Sequence, residues 1–159
     1  EVTLLLHQVV SELPEQQRRM LTASLNHDAA FDNRRILVVE DDVRNIYALT
    51  GILEPHGARI DIARNGEEAL DLLESTLAPG EQPVDLVLMD VMMPVMDGLA
   101  ATRAIRARPE FRSLPVLMLT AKAMRDDQVR CLEAGANDYL AKPLDVDKLL
   151  SLARVWIRR

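Results

Sequence analysis

The sequence predicts an α/β domain built on a doubly wound sheet of five parallel strands, with a helical appendage at its N-terminus. Two observations lead there. Short, branched apolar runs recur between helix-length segments: Ile36-Leu37-Val38-Val39, Val84 to Met89, Val116-Leu117-Met118-Leu119 and Asn137 to Ala141. Each run also ends in polar chemistry, at Glu40-Asp41-Asp42, Asp90, Thr120-Ala121 and Lys142-Pro143 respectively. The most informative is Val84 to Gly98, where a run long enough for a buried strand delivers a lone carboxylate, Asp90, to its exit. Burying such a carboxylate costs several kcal/mol unless a cation or hydrogen-bond donors compensate it, so Asp90 is expected at the strand's mouth.

The elements follow in order. Val2, Leu5, Leu6, Val9, Val10 and Leu13 obey helical spacing and make an amphipathic helix, which Pro14 breaks. Residues 15–25 are helical again, with Met20, Leu21 and Leu25 on one side, and Asn26 to Asn33 is a polar linker. The expected division is therefore residues 1–33 as a helical segment and linker, and 34–159 as the domain. Because the chain opens at Glu1 rather than methionine, it reads as a piece of a longer polypeptide. Strands are expected near 35–40, 59–63, 84–89, 115–119 and 137–141, and helices near 43–56, 66–77, 98–107, 124–134 and 145–157. Gly57 and Gly135 end the first and fourth helices of this set, and Asn65 with Glu68 forms a cap and its partner for the second. Asp42 is expected to cap the first helix, Asp97-Gly98 to turn into the third, and Asp126-Asp127 to place acids in the first turn of the fourth. Ala78-Pro79-Gly80-Glu81-Gln82-Pro83 is a loop.

The bulk numbers narrow the function. At 159 residues the chain holds one well-packed domain plus an appendage. With 48% hydrophobic and 28% charged residues it has the composition of a soluble globular protein. A net charge of -6, with no basic stripe carrying interleaved aromatics, argues against nucleic-acid binding. No apolar stretch approaches the length of a membrane span, so no membrane contact is expected and a cytoplasmic location follows. Cys131 is the only cysteine, which excludes a disulfide framework and a thiolate metal site within the chain, and its helical setting suits a small buried side chain. His7, His27 and His56 are too scattered to form a metal site.

Ligands of open parallel sheets bind outside the strands' carboxyl ends. One rim then collects Glu40, Asp41, Asp90, Thr120 and Lys142. Acids joined by one hydroxyl and one ammonium suit a divalent cation and a phosphoryl group.

These residues carry a resemblance. From about Arg35 to Ile157 the chain resembles the receiver domain of bacterial two-component response regulators. The matching features are Glu40-Asp41, Asp90 with Met93-Pro94-x-Met96-Asp97-Gly98, Thr120-Ala121 and Lys142-Pro143, in that order. The resemblance implies a flavodoxin-like sheet of strand order 2-1-3-4-5. It also implies that Asp90 accepts a phosphoryl group from a phosphohistidine of a sensor kinase or phosphotransfer domain. Mg²⁺ would be held by Asp41, Asp90 and the backbone carbonyl of Met92, with Glu40 acting mainly through water. Lys142 would pair with phosphoryl oxygens and Thr120 would donate its hydroxyl to them. Such a domain assists its own phosphorylation and dephosphorylation.

Further implications concern switching and lifetime. Tyr139 stands at the switch aromatic position, coupled to movement of Thr120 and to the face of the fourth helix, fifth strand and fifth helix. Met92 and Lys122 stand where the family tunes attack of water on the phosphoryl group. Methionine cannot orient a water, so slow self-dephosphorylation is expected. The N-terminal segment resembles the last helix left from a preceding receiver in a hybrid sensor histidine kinase, and it or the fourth and fifth helices would support a homodimer. His7 lacks the surroundings of a phosphorylated kinase histidine.

Other classes fit less well. An aspartyl phosphatase would want an acid where Met92 stands, and a dinucleotide site would want glycines where Glu40-Asp41-Asp42 stands. The alternative that remains is a phosphorylation-independent interaction module of the same fold, although Asp41, Asp90 and Lys142 are all present.

Overall fold

The expected strand and helix alternation is realised in a computed structural model, which describes residues 29–121 and 125–157. The helices read in residues 2–25, together with His7, His27 and Lys122, lie outside the described residues. So does the homodimer expected through the N-terminal helix.

Ten elements alternate: β1 (Arg35–Val39), α1 (Val43–Leu53), β2 (Arg59–Ala63), α2 (Gly66–Ser75), β3 (Leu86–Asp90), α3 (Gly98–Ala107), β4 (Val116–Thr120), α4 (Arg125–Ala134), β5 (Asp138–Ala141) and α5 (Val146–Ile157). The strands form one parallel sheet in the order β2-β1-β3-β4-β5, the order that the resemblance implied. Every residue of β1, β3 and β4 is buried, as continuous apolar runs require when helices cover both faces of a sheet. The edge strands β2 and β5 are only partly covered.

Alternation along each central strand sorts its side chains between two layers. Leu37, Val39, Val87, Met89, Val116 and Met118 face α2, α3 and α4, where they meet Leu73, Ile105 and Cys131. Ile36, Val38, Leu86, Leu88, Leu117 and Leu119 face α1 and α5, where they meet Leu49, Leu53, Leu149 and Ala153. Each such large side chain contributes about 1.5–3 kcal/mol when fully buried, so the central strands fix the register of the rim.

Local chemistry sets the helix starts. The Asp42 carboxylate accepts from the Arg44 backbone N–H, and Asp97 does the same for Ala100. Asn65 accepts from the Glu68 N–H at 2.9 Å while its amide donates to the Glu68 carboxylate, a reciprocal cap. Asp145 caps α5 through the N–H groups of Asp147 and Lys148. Gly57 has φ of +89° and Gly135 of +110°, left-handed conformations suited to residues without Cβ.

Element ends shift by a residue or two from the sequence reading, and three departures have a local cause. The α1 helix stops at Leu53 and gives way to a 3-10 turn, Glu54–His56, because Pro55 has no N–H to continue the ladder. Asn137 precedes β5 rather than opening it, since its side chain is used as an acceptor for the Val116 N–H at 2.9 Å. The stretch read as a polar linker contains a 3-10 turn, Ala29–Phe31, whose Phe31 is fully buried in the layer beneath α1 and α5. Its ring also meets that of His56, with centroids 5.7 Å apart.

Candidate functional site

Strand ladders carry the polar residues to one rim. Val39 pairs with Met89 in register, so the next residues, Glu40 and Asp90, leave the sheet side by side. The ladder continues past the strands: Glu40 N–H donates to Ala63 O at 3.0 Å, Val91 N–H to Leu119 O at 3.0 Å, and Lys142 N–H to Thr120 O at 2.7 Å. These bonds fix the backbone under each functional side chain.

The loop after β3 then folds back over Asp90. Gly98 N–H donates to Val91 O at 2.9 Å. A Cβ on Gly98 would stand 2.1 Å from the Asp90 carbonyl oxygen, a distance no real contact tolerates. The glycine is therefore required by the close approach of α3 to the acid-bearing strand, not only by the turn.

Asp90 and Glu40 are buried at 4% and 1% exposure, and one ammonium serves both. Lys142 Nζ lies 3.1 Å from Asp90 Oδ1 and 3.3 Å from Glu40 Oε2. The other Glu40 oxygen accepts from the Asp42 backbone N–H at 3.1 Å. Oxygens of Glu40, Asp41 and Asp90 all lie within 4.8 Å of one another. Two buried acids therefore share one cation, and the half-buried Asp41 completes the cluster on its wetter side.

The electrostatics follow from that imbalance. Burial is the main force pushing the Glu40 carboxyl above its ordinary range; the Asp90 charge adds to it, while the Asp42 N–H and Lys142 oppose it. For Lys142, burial pulls the ammonium down, but its hydrogen bond to Asp90 and the charges of Asp90 and Glu40 prevail and hold it above the ordinary lysine range. The donor set fits a divalent cation such as Mg²⁺: hard carboxylate oxygens, more negative charge than Lys142 neutralises, and Asp41 only half-buried, so that one side faces water.

The remaining candidates are placed as follows. Thr120, 4% exposed, ends β4 beside Asp90's strand, with Thr120 opposite Ala141 in register. Tyr139 pairs with Met118 and lies half-buried against the layer of α3 and α4. Tyr139 and Lys142 line one groove of ≈ 550 Å³, with Gln128, Asp145 and Lys148. Met92 turns its thioether outward at 74% exposure, while its N–H points to Asp90 Oδ1 at a long 3.4 Å. Asp97 and Asp42 act as helix caps and Cys131 is buried, its thiol pushed up chiefly by that burial, as their settings in the sequence suggest.

Sequence reasoning passed over two basic residues. Arg64 donates from Nη2 to the Asp41 carbonyl at 3.2 Å, which brings a guanidinium to the rim. Its position directly after β2 was the available signal. Arg106, on α3, donates to the carbonyls of Gly135, Phe111 and Leu114 and to Asn137 Oδ1, at 2.6 to 2.9 Å. Burial lowers its pKa, and backbone acceptors carry no side-chain signature by which the sequence could have shown the knot.

Known proteins share this arrangement. The family model described as the response regulator receiver domain matches residues 36–154. Response regulator MprA of Mycolicibacterium vanbaalenii is 42% identical over 125 residues, which cover 79% of this chain and 51% of that protein. The chain thus spans about half the length of that relative. Protein PilH of Pseudomonas aeruginosa is 40% identical over 116 residues, 73% of this chain and 91% of that protein. Among solved structures, the receiver domain of sensor histidine kinase PA1611 from Pseudomonas aeruginosa PAO1, described with a magnesium ion coordinated in its active site cleft, superposes with a TM-score of 0.71 at 38% identity. It covers 80% of this chain and 99% of that one.

Proposed function

The chain belongs to the response regulator receiver domains of two-component signalling, and from that premise we propose that Asp90 is its phosphoacceptor, with Mg²⁺ as the cofactor. The carrying observation is a nearly buried Asp90 carboxylate that shares the Lys142 ammonium, at 3.1 Å, with a second buried acid, while Asp41 completes the oxygen cluster.

The chemistry assigned to each residue follows from its position. An Asp90 oxygen attacks phosphorus, a new O–P bond forms, and the donor leaves with the electron pair of the bond that breaks. Asp41, Asp90 and the Met92 carbonyl would hold the metal, with Glu40 acting through water, and Mg²⁺ when bound would neutralise charge on the transferring phosphoryl oxygens. Lys142, already beside Asp90, moves its hydrogen bonding to the new phosphoryl group, and Thr120 donates its hydroxyl from the neighbouring strand. Tyr139 follows Thr120 as the switch residue, along the groove that it shares with Lys142.

The partner class follows from the family. Receiver domains accept phosphoryl groups from histidine kinases, and a phosphohistidine of a sensor kinase or phosphotransfer domain is the donor we assign here. Among the described residues no helix is long and apolar enough to cross a membrane, and we assign the domain to the cytoplasm. The likeness to a receiver from a sensor histidine kinase supports an origin in a hybrid kinase. Phosphoryl lifetime is set in part by Met92, whose exposed thioether offers no N–H or O–H to orient water. Met92→Asn is expected to accelerate loss of phosphate, read as decay of the phosphorylated mass after donor removal; an unchanged rate removes Met92 from the explanation.

The direct test is intact mass after incubation with Mg²⁺ and acetyl phosphate, for wild type and Asp90→Asn. Gain of one phosphate by wild type alone is expected. No gain, under conditions that label a control receiver, would overturn the proposal in favour of a phosphorylation-independent interaction module.

A further inference from the structure

We propose that Arg64 is the docking residue for the anionic phosphodonor, an inference that rests on the phosphoacceptor reading of Asp90. Arg64 directly follows Ala63, the last residue of β2, whose carbonyl accepts the Glu40 N–H at 3.0 Å. Its guanidinium Nη2 donates to the Asp41 backbone carbonyl at 3.2 Å. The cation is thus set beside a residue of the acid cluster through a backbone contact, and its side chain is exposed.

Among the described residues, two other cations near this rim are already engaged. Lys142 is held between Asp90 and Glu40, and Arg44 is paired with the Asp42 carboxylate at 3.0 Å. Among the described residues Arg64 has no carboxylate partner and only the Asp41 carbonyl as a hydrogen-bond acceptor. Its other N–H groups are therefore available to an incoming anion, and a planar guanidinium matches phosphate oxygens two at a time.

The rim needs such a group. Glu40, Asp41 and Asp90 outnumber Lys142, so the mouth repels an anionic donor before transfer begins. A surface cation at the mouth offsets this repulsion and raises the local donor concentration, an effect that salt screens. The same charge stands beside Asp41 and opposes a divalent cation there. Removing it should therefore weaken donor binding and strengthen metal binding, two effects of opposite sign.

In the transfer from acetyl phosphate, an Asp90 oxygen forms the new O–P bond while the bond from phosphorus to the acetyl oxygen breaks, and acetate leaves with its electron pair. Arg64 acts before this step, on the encounter. The test is the initial phosphorylation rate as a function of acetyl phosphate, at saturating Mg²⁺, for wild type, Arg64→Gln and Arg64→Lys. For Arg64→Gln the half-saturating donor concentration should rise about fivefold, with a flatter salt dependence, while the limiting rate stays within about twofold. Arg64→Lys should recover most of the donor binding, and calorimetric titration should show Mg²⁺ bound more tightly by Arg64→Gln than by wild type. Unchanged half-saturation and salt dependence, or a loss confined to the limiting rate in both variants, would overturn the role of Arg64. Failure of wild type itself to gain phosphate would instead overturn the premise.

Discussion

The two ends of the sheet handle buried charge in opposite ways. At the amino end Arg35 is 5% exposed, yet it is matched: Nε donates to Asp61, Nη1 to the Gln82 carbonyl at 2.6 Å, and Glu81 lies 3.7 Å away. The Arg35 backbone N–H meets Asp85 at 2.9 Å, and Arg34 adds an ion pair to that same carboxylate. At the carboxyl end three acids cluster, and one ammonium, paired with Glu40 and Asp90, serves the group. A matched buried charge orders the fold, whereas an unmatched one leaves a site that a cation completes. The difference separates stabilising polar groups from working ones.

The most severe way to break the carboxyl end is to add one carbon atom to α3. Gly98→Ala places a Cβ against the Asp90 carbonyl, backbone against backbone, so strand and helix must separate. A loss of more than about 3 kcal/mol in urea unfolding is expected, with a slower phosphorylation rate in the molecules that still fold. A stable variant with normal labelling would mean that α3 is free to retreat.

Breaking the amino end should damage stability alone. Arg35→Met keeps an apolar stem but leaves Asp61, with 21% side-chain exposure, and the Gln82 carbonyl without their donor. The expected loss is about 3 kcal/mol, since removing one partner of a buried pair strands the other. Phosphorylation per folded molecule should be unchanged. A labelling defect in folded Arg35→Met would show that the two ends are coupled.

These residues also mark how far the sequence could be read. The strand runs and the acids at their exits were visible because an apolar strand that ends in a carboxylate is a pattern along the chain. Strand order was reached through the resemblance, whereas the gathering of Glu40, Asp90 and Lys142 on one rim followed from the rule that parallel strands present their carboxyl ends together, although 102 residues separate Glu40 from Lys142. Arg106 was missed because its acceptors are largely main-chain carbonyls, which every residue has; Arg35 was missed because its carboxylate partners, Asp61 and Glu81, lie far from it along the chain. Phe31 was hidden because a single aromatic within a polar stretch has no periodicity to reveal that it is buried.

Glu40 sharpens the comparison, because it should trade stability for metal binding. Its pKa is raised in the fold, chiefly by burial, so the folded state binds this proton more tightly than the unfolded chain does. Its favourable contribution is therefore full below the ordinary carboxyl value of 4.5 and is lost as pH rises through the raised folded value. At neutral pH the Glu40 carboxylate thus opposes the metal-free fold. Glu40→Gln should be more stable than wild type in chelator at pH 7, and the difference should shrink as pH falls. Mg²⁺ affinity should drop about tenfold, the range for outer ligands that orient a metal site. A Gln variant less stable than wild type at neutral pH would mean that the Lys142 hydrogen bond outweighs the burial of charge.

The smallest expected effect lies in the loop over Asp90. Val95 has φ of +67°, a left-handed conformation that branched side chains rarely adopt, and its side chain is 78% exposed. Packing therefore does not hold it there; the neighbouring turn does, through Met96 N–H to Pro94 O at 2.7 Å and Gly66 N–H to Met96 O at 3.1 Å. Asparagine tolerates this conformation without the added chain entropy of glycine, so Val95→Asn should gain about 1 kcal/mol in urea unfolding. Because Val95 lies on the loop that carries Met92, the same variant separates strain from function. A gain in stability with unchanged labelling makes the strain incidental to the chemistry. A gain accompanied by slower labelling would mean that the loop stores strain to hold the Met92 backbone against Asp90, and that part of the carboxyl end's instability is conformational rather than electrostatic.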